Sequence, residues 1–174
     1  IYKEYLNKSF MIRIFDELEE FKKEVLNEKN IDLESVIKID SPFLENEDDF
    51  TLINLPSYNA ESQKNFIFST SEKTFVYSKI NYGNYEKKYR KVLGKKNGES
   101  SIIIFLTLKN ILKNYSQEFE KIREVMNELD FDPLLDAIEE SGRALRKLTD
   151  RMEGLVQIVI LLKETEIERF NTSL

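Results

Sequence analysis

The sequence predicts an α+β fold: an α/β/α sandwich around a mixed, partly antiparallel sheet over residues 1–101, then a long helical hairpin and the start of a stalk over 102–174. Three observations carry this reading. Short β-prone runs alternate with an amphipathic helix in the first half. In the second half the apolar spacing changes to a sustained heptad. With 5 glycines and 3 prolines in 174 residues, the chain has few helix breakers and is ordered.

The elements follow in order. Phe10-Met11-Ile12-Arg13-Ile14-Phe15 is a β-prone run, and Asp16 with Glu19 three places on reads as a capping box opening a helix that runs to about Lys29. Leu18, Phe21, Val25 and Leu26 share one face of that helix. Ser35 to Ile39 reads as a short helix end or a strand. Phe50–Leu55, Asn65–Ser69 and Thr74–Ser78 form an antiparallel meander, with Thr70-Ser71-Glu72-Lys73 as a hairpin loop. Tyr85 to Leu93 reads as a short basic helix and Gly94–Gly98 as a loop.

In the second half Phe105, Leu108, Leu112, Tyr115, Phe119, Ile122, Met126 and Leu129 are spaced 3, 4, 3, 4, 3, 4, 3. Asp132 and Pro133 then supply an N-cap and a first helical residue. Ile138, Leu145, Leu148, Met152, Leu155, Val159 and Leu162 continue the seam, with Ser141 in the missing position. A helix from Pro133 to about Phe170 is roughly 57 Å long, and it meets no Gly or Pro stop signal before Leu174.

Composition limits the chemistry. The chain has no Cys and no His, which removes disulfides, thiolate nucleophiles, Cys-type zinc sites and the Ser-His and Cys-His arrangements. A non-enzyme is expected. The net charge of -6 disfavours nucleic acid as a partner, and no apolar run approaches a bilayer span. No phosphate-binding glycine loop is present: Gly94-Lys95-Lys96-Asn97-Gly98 lacks the required spacing and hydroxyl. Charge falls in blocks: 13 acidic and 4 basic residues over 16–49, 7 basic and 1 acidic over 79–98, and 9 acidic and 2 basic over 116–140. These blocks are either solvated faces or surfaces for complementary partners, other copies included.

Tyr82, Tyr85 and Tyr89 among Lys87, Lys88, Arg90 and Lys91 mix aromatic and basic groups as single-strand binders do. The alternative is a helix whose tyrosines pack on the sheet while its lysines face water. Two acidic clusters, Glu45-Glu47-Asp48-Asp49 and Asp130-Asp132-Asp136, are either solvated charge or oxygen-rich sites for Mg²⁺ or Ca²⁺.

This order of pieces resembles the cytoplasmic domain of the CorA magnesium/cobalt transporter family. The resemblance lies in Asp16-Glu17-Leu18-Glu19-Glu20 after the first strand, in Asn46 to Leu55, in the Asn65–Ser78 hairpin, in Ile103 to Asp130, and in Leu145 to Leu155. It implies a homopentamer at the cytoplasmic face of the cell membrane, anchored through a C-terminal segment absent here, whose soluble part senses Mg²⁺ and gates a pore for Mg²⁺ or Co²⁺. It also implies a metal ligand in the loop after the acidic strand, where Glu61 is the carboxylate, with Asp130, Asp132 and Asp136 as a second cation-attracting patch. Weak, millimolar Mg²⁺ binding is expected of such loose sites. Much of the family's ring contact comes from other segments, so this stretch alone is expected to associate weakly. The alternative function is a stand-alone helical-hairpin scaffold without ion sensing.

Overall fold

A computed structural model describes residues 5–7, 10–58, 63–89, 91, 98–129 and 135–164. Its strands are β1 (Tyr5–Asn7), β2 (Phe10–Phe15), β3 (Phe43–Asn46), β4 (Thr51–Asn54), β5 (Phe66–Ser69) and β6 (Lys73–Tyr77). They form one mixed sheet in the order β1-β2-β6-β5-β4-β3. The β2–β6 pair is parallel, with Ile12 opposite Thr74 and Ile14 opposite Val76. The other pairs are antiparallel, and β4, β5 and β6 are the expected meander.

Strand alternation separates two cores. Phe15, Leu52, Phe66, Phe68 and Phe75 point to one face and pack with Phe21, Val25 and Leu33. The rings of Phe68 and Phe75 stack at 6.1 Å, and Phe15 meets Phe75 edge-on at 6.0 Å. Helix α1 (Leu18–Lys29) supplies Phe21 and Val25. On the other face Ile12, Ile53, Ile67 and Val76 pack under α2 (Tyr85–Lys88), α3 (Gly98–Leu129) and α4 (Leu135–Glu164). The result is the predicted sandwich. One core runs from the sheet into both long helices, and α3 crosses position 101/102 without interruption.

Several local expectations change. The cap of α1 is Glu17 in extended geometry, without a side-chain hydrogen bond, so the Asp16–Glu19 box does not form. Leu26 faces water because the α1 contact is narrow and is filled by Phe21 and Val25. Residues Val36–Lys38 form a short 3-10 turn. Strand β3 occupies part of what read as an acidic cluster, because alternating Phe43 and Leu44 pack on opposite faces while Glu45 is exposed. Asp49 pairs with Lys29 at 2.7 Å. Tyr85 is buried under α3 and Lys87 and Lys88 are exposed, which is the packed reading of the tyrosine run. The 94–97 loop, Asp132-Pro133 and residues 165–174 lie outside the described residues.

The heptad is only half buried. Tyr115, Ile122, Leu148 and Leu155 lie in the core, while Phe105, Leu112, Phe119 and Met126 face solvent. The reason is that the sheet lies on one side of the hairpin and supplies contacts there, which shifts the buried stripe by about one residue to include Ile104 and Ile111.

Gly154 permits a close approach of α4 to the sheet edge. A Cβ there would stand 3.1 Å from Cγ and Cδ of Pro42, beside edge strand β3. At Gly142, on the same helix, a Cβ would meet nothing within 4 Å. Replacing a helical glycine by alanine is worth about 1 kcal/mol. Gly142→Ala should therefore raise the melting temperature by about 2–4 °C. Gly154→Ala should give a smaller rise or a fall, because the rigid Pro42 ring must shift. Equal gains in thermal melts would show that the Pro42 contact yields freely.

Candidate functional site

The chain leaves β4 at Asn54, and Leu55 to Ser57 are buried beneath the hairpin. A buried backbone carbonyl needs a donor, and here two long helices provide it. The Tyr115 hydroxyl of α3 donates to Pro56 O at 2.8 Å. Arg151 of α4 donates from Nη1 to the neighbouring Ser57 O. The Asn114 side-chain oxygen accepts from Tyr58 N at 2.8 Å, and the Tyr58 hydroxyl donates to Ala144 O at 3.3 Å. The Lys147 ammonium sits 4.8 Å over the Tyr58 ring. This joint fixes the position and direction of the hairpin relative to the sheet.

Arg151 is 6% exposed, an unusual position for a guanidinium. Its delocalised charge is compensated by carbonyl dipoles and by the Tyr115 hydroxyl that it also reaches. Burial pushes the Tyr115 hydroxyl above its ordinary pKa, and Arg151 opposes that shift in part. Tyr58 is raised by burial and then by the Glu118 carboxylate, again with Arg151 opposing. Tyr82 is raised by burial and eased by hydrogen bonds to Ser78 and Thr107.

The same segment is tied to the residues that follow position 62. Ser57 N donates to Gln63 O at 3.0 Å, and Leu55 N to Asn65 O at 2.8 Å. Glu61, expected as a metal ligand, lies outside the described residues, as do Asp130 and Asp132. Asp136 is exposed in the first turn of α4, with Glu139 and Glu140 one turn on. Among the described residues no group of three or more carboxylates is placed to hold a metal ion. The sequence reading missed Arg151 altogether. Its only signal was a basic residue directly before the seam position Met152.

The comparisons bear on this architecture. Neither a protein-family model nor a curated protein matches the sequence. Solved structures do. The fold is similar to the cytoplasmic domain of ZntB from Vibrio parahaemolyticus, with a TM-score of 0.61 at 15% identity over 94% of this chain and 72% of that one. It is also similar to the soluble domain of CorA from Methanocaldococcus jannaschii, with a TM-score of 0.54 at 15% identity over 93% and 72%. Full-length CmaX matches with a TM-score of 0.59 at 10% identity, over 97% of this chain and 58% of that one. At these identities the likeness is one of fold. Among the described residues no helix is long and apolar enough to cross a membrane.

The raised tyrosines set a pH prediction. A folded-state pKa above the unfolded value near 10 stabilises the protein below that pH, and the contribution disappears as pH rises through the folded pKa. No His or Cys is present to titrate near neutrality. The melting temperature should be nearly flat from about pH 6 to 9 and fall above about pH 10. A step near neutrality, or an unchanged melt at about pH 11, would contradict these assignments.

Proposed function

We propose that this chain is the regulatory domain, on the cytoplasmic side of the membrane, of a CorA- or ZntB-type divalent-cation transporter, and that it is not an enzyme. The observation that carries the reading is the shared fold over more than nine-tenths of the chain, from the mixed sheet into the long hairpin. The acidic character of the hairpin's far end supports it: Glu124, Glu128, Asp136, Glu139 and Glu140 are all exposed there.

In this reading the protein assembles as the ring that the resemblance implies, a homopentamer attached to the membrane through a further segment. Carboxylates of adjacent copies repel one another when bare. A hydrated Mg²⁺ neutralises them and favours the arrangement in which it is bound, the closed pore. The ion must bind that arrangement more tightly than the open one, since equal affinity shifts nothing. The Arg151–Ser57 joint would pass a displacement of the hairpin to the sheet as a rigid unit. The transported ion would be Mg²⁺ or Co²⁺. A stand-alone hairpin scaffold is the second reading, favoured by the apolar residues that the hairpin exposes.

Magnesium titration by calorimetry or NMR tests the sensing role. Weak binding in the millimolar range is expected, weakening further as salt rises because exposed charges are screened within about 10 Å at 0.1 M. The loss should map to Glu61→Ala and to the triple change Asp130→Ala, Asp132→Ala, Asp136→Ala. Micromolar affinity surviving both would mean that other carboxylates bind. No shift at about 20 mM would leave only solvated charge.

A further inference from the structure

The side-chain donors in these 174 residues are of one chemical kind. There is no His and no Cys, so the neutral imidazoles and thiolates that hold borderline and soft cations are missing wherever in the domain an ion sits. Two other non-oxygen donors remain, the lysine amine and the methionine thioether. A lysine ligates a metal only after losing its proton, and here carboxylates hold the ammonium form. Lys29 meets Asp49 at 2.7 Å, Lys64 meets Asp40 at 3.0 Å and Lys73 meets Glu28 at 2.5 Å. Hydrogen bonds to Glu34 and Glu19 push Lys22 above its ordinary pKa.

The three methionines are held apart. Met11 lies on β2 and packs with the core beneath α1, on the opposite face of the sheet from the hairpin. Met126 stands 3 residues from the turn end of α3 and Met152 stands 17 from that of α4, about 20 Å apart along the hairpin. Two sulfurs of one copy therefore cannot share an ion. Oxygen is what remains: carboxylates, hydroxyls, side-chain amides and backbone carbonyls. A site between copies gains no imidazole or thiolate, since every copy brings the same residues.

We infer that the domain reads hard dications alone, and that a borderline ion such as Co²⁺ or Zn²⁺ at trace level goes unregistered even where the pore would carry it. This rests on the sensing role proposed above. Affinity for divalent ions rises from Mn²⁺ towards Cu²⁺ on any donor set, and nitrogen and sulfur ligands steepen that rise. On oxygen alone the preference for Co²⁺ or Zn²⁺ over Mg²⁺ is about tenfold or less. Occupancy is then set by concentration: an abundant ion fills loose, millimolar carboxylate sites, and one about a thousandfold scarcer leaves them almost empty. Cargo and signal separate as a result. Mg²⁺ entering through the pore would close it, while Co²⁺ entering at trace level would not limit its own passage.

Calorimetry of the 174-residue chain at fixed ionic strength tests this, with MgCl₂, CaCl₂, CoCl₂ and ZnCl₂ as titrants. All four should bind in the millimolar range, Co²⁺ and Zn²⁺ within about tenfold of Mg²⁺. Amide NMR spectra in about 2 mM MgCl₂ should not change when about 10 µM ZnCl₂ is added. Lys109→His combined with Lys113→His sets two imidazoles one turn apart on an exposed face of α3. That variant should bind Zn²⁺ at least about tenfold tighter than the wild type and Mg²⁺ no tighter, because donor type sets the selectivity. Micromolar binding of Co²⁺ or Zn²⁺ by the wild type, or a histidine variant with unchanged Zn²⁺ affinity, would overturn the inference and leave the sensing role standing. No binding of Mg²⁺ or Ca²⁺ at about 20 mM would remove the sensing role and the inference with it.

Discussion

The hairpin's position depends on two buried carbonyls. When β4 ends at Asn54, the backbone passes beneath the long helices, and side chains of those helices donate to Pro56 O and Ser57 O. Leaving either without a donor would cost about 1–3 kcal/mol. Tyr115 from α3 and Arg151 from α4 meet this need from two helices at once, so satisfying the loop also fixes where both helices lie. The guanidinium suits the task because its forked donors serve more than one acceptor and it sheds water more readily than an ammonium.

Around this joint the interface between sheet and helices is a mixture of apolar packing and short polar ties. Ser69, Thr74 and Ser100 form a buried hydroxyl chain with separations of 2.7 and 3.0 Å, joining β5, β6 and the start of α3. Tyr82 meets Thr107 at 3.1 Å, and Thr107 donates back to Ile103 O. Apolar contacts alone would tolerate small rotations of a helix on the sheet. Buried hydrogen bonds do not, since a small rotation leaves donors and acceptors unpaired. The lower half of the hairpin is therefore held to the sheet, while its far end carries exposed charge.

Much of the fold was legible in the sequence. The limits of β2 match the Phe10–Phe15 run, and the β4–β5–β6 meander follows the alternating runs between Phe50 and Ser78, because a sheet covered on both faces leaves a strong apolar signal. Strand β3 was hidden because it lies at an edge, where Glu45 can face water. The heptads gave two long helices but could not say which half of each was covered, since that depends on where the sheet sits. The candidate metal carboxylates were found as charge density, which marks a surface without arranging it; only Asp136 lies among the described residues, exposed. Arg151 was illegible for the opposite reason: its role depends on a loop 94 residues earlier in the chain.

Native-state hydrogen exchange of wild type and Arg151→Met tests the central claim most directly, that the joint makes sheet and hairpin one cooperative body. In the wild type, amides of Ile53, Ile67 and Val76 in the sheet and of Ile111, Tyr115 and Leu155 in the helices should open with the same free energy. In Arg151→Met the helical amides should open more easily than those of the sheet. Helices that open independently of the sheet in the wild type, or a variant whose exchange is unchanged at both places, would contradict the account.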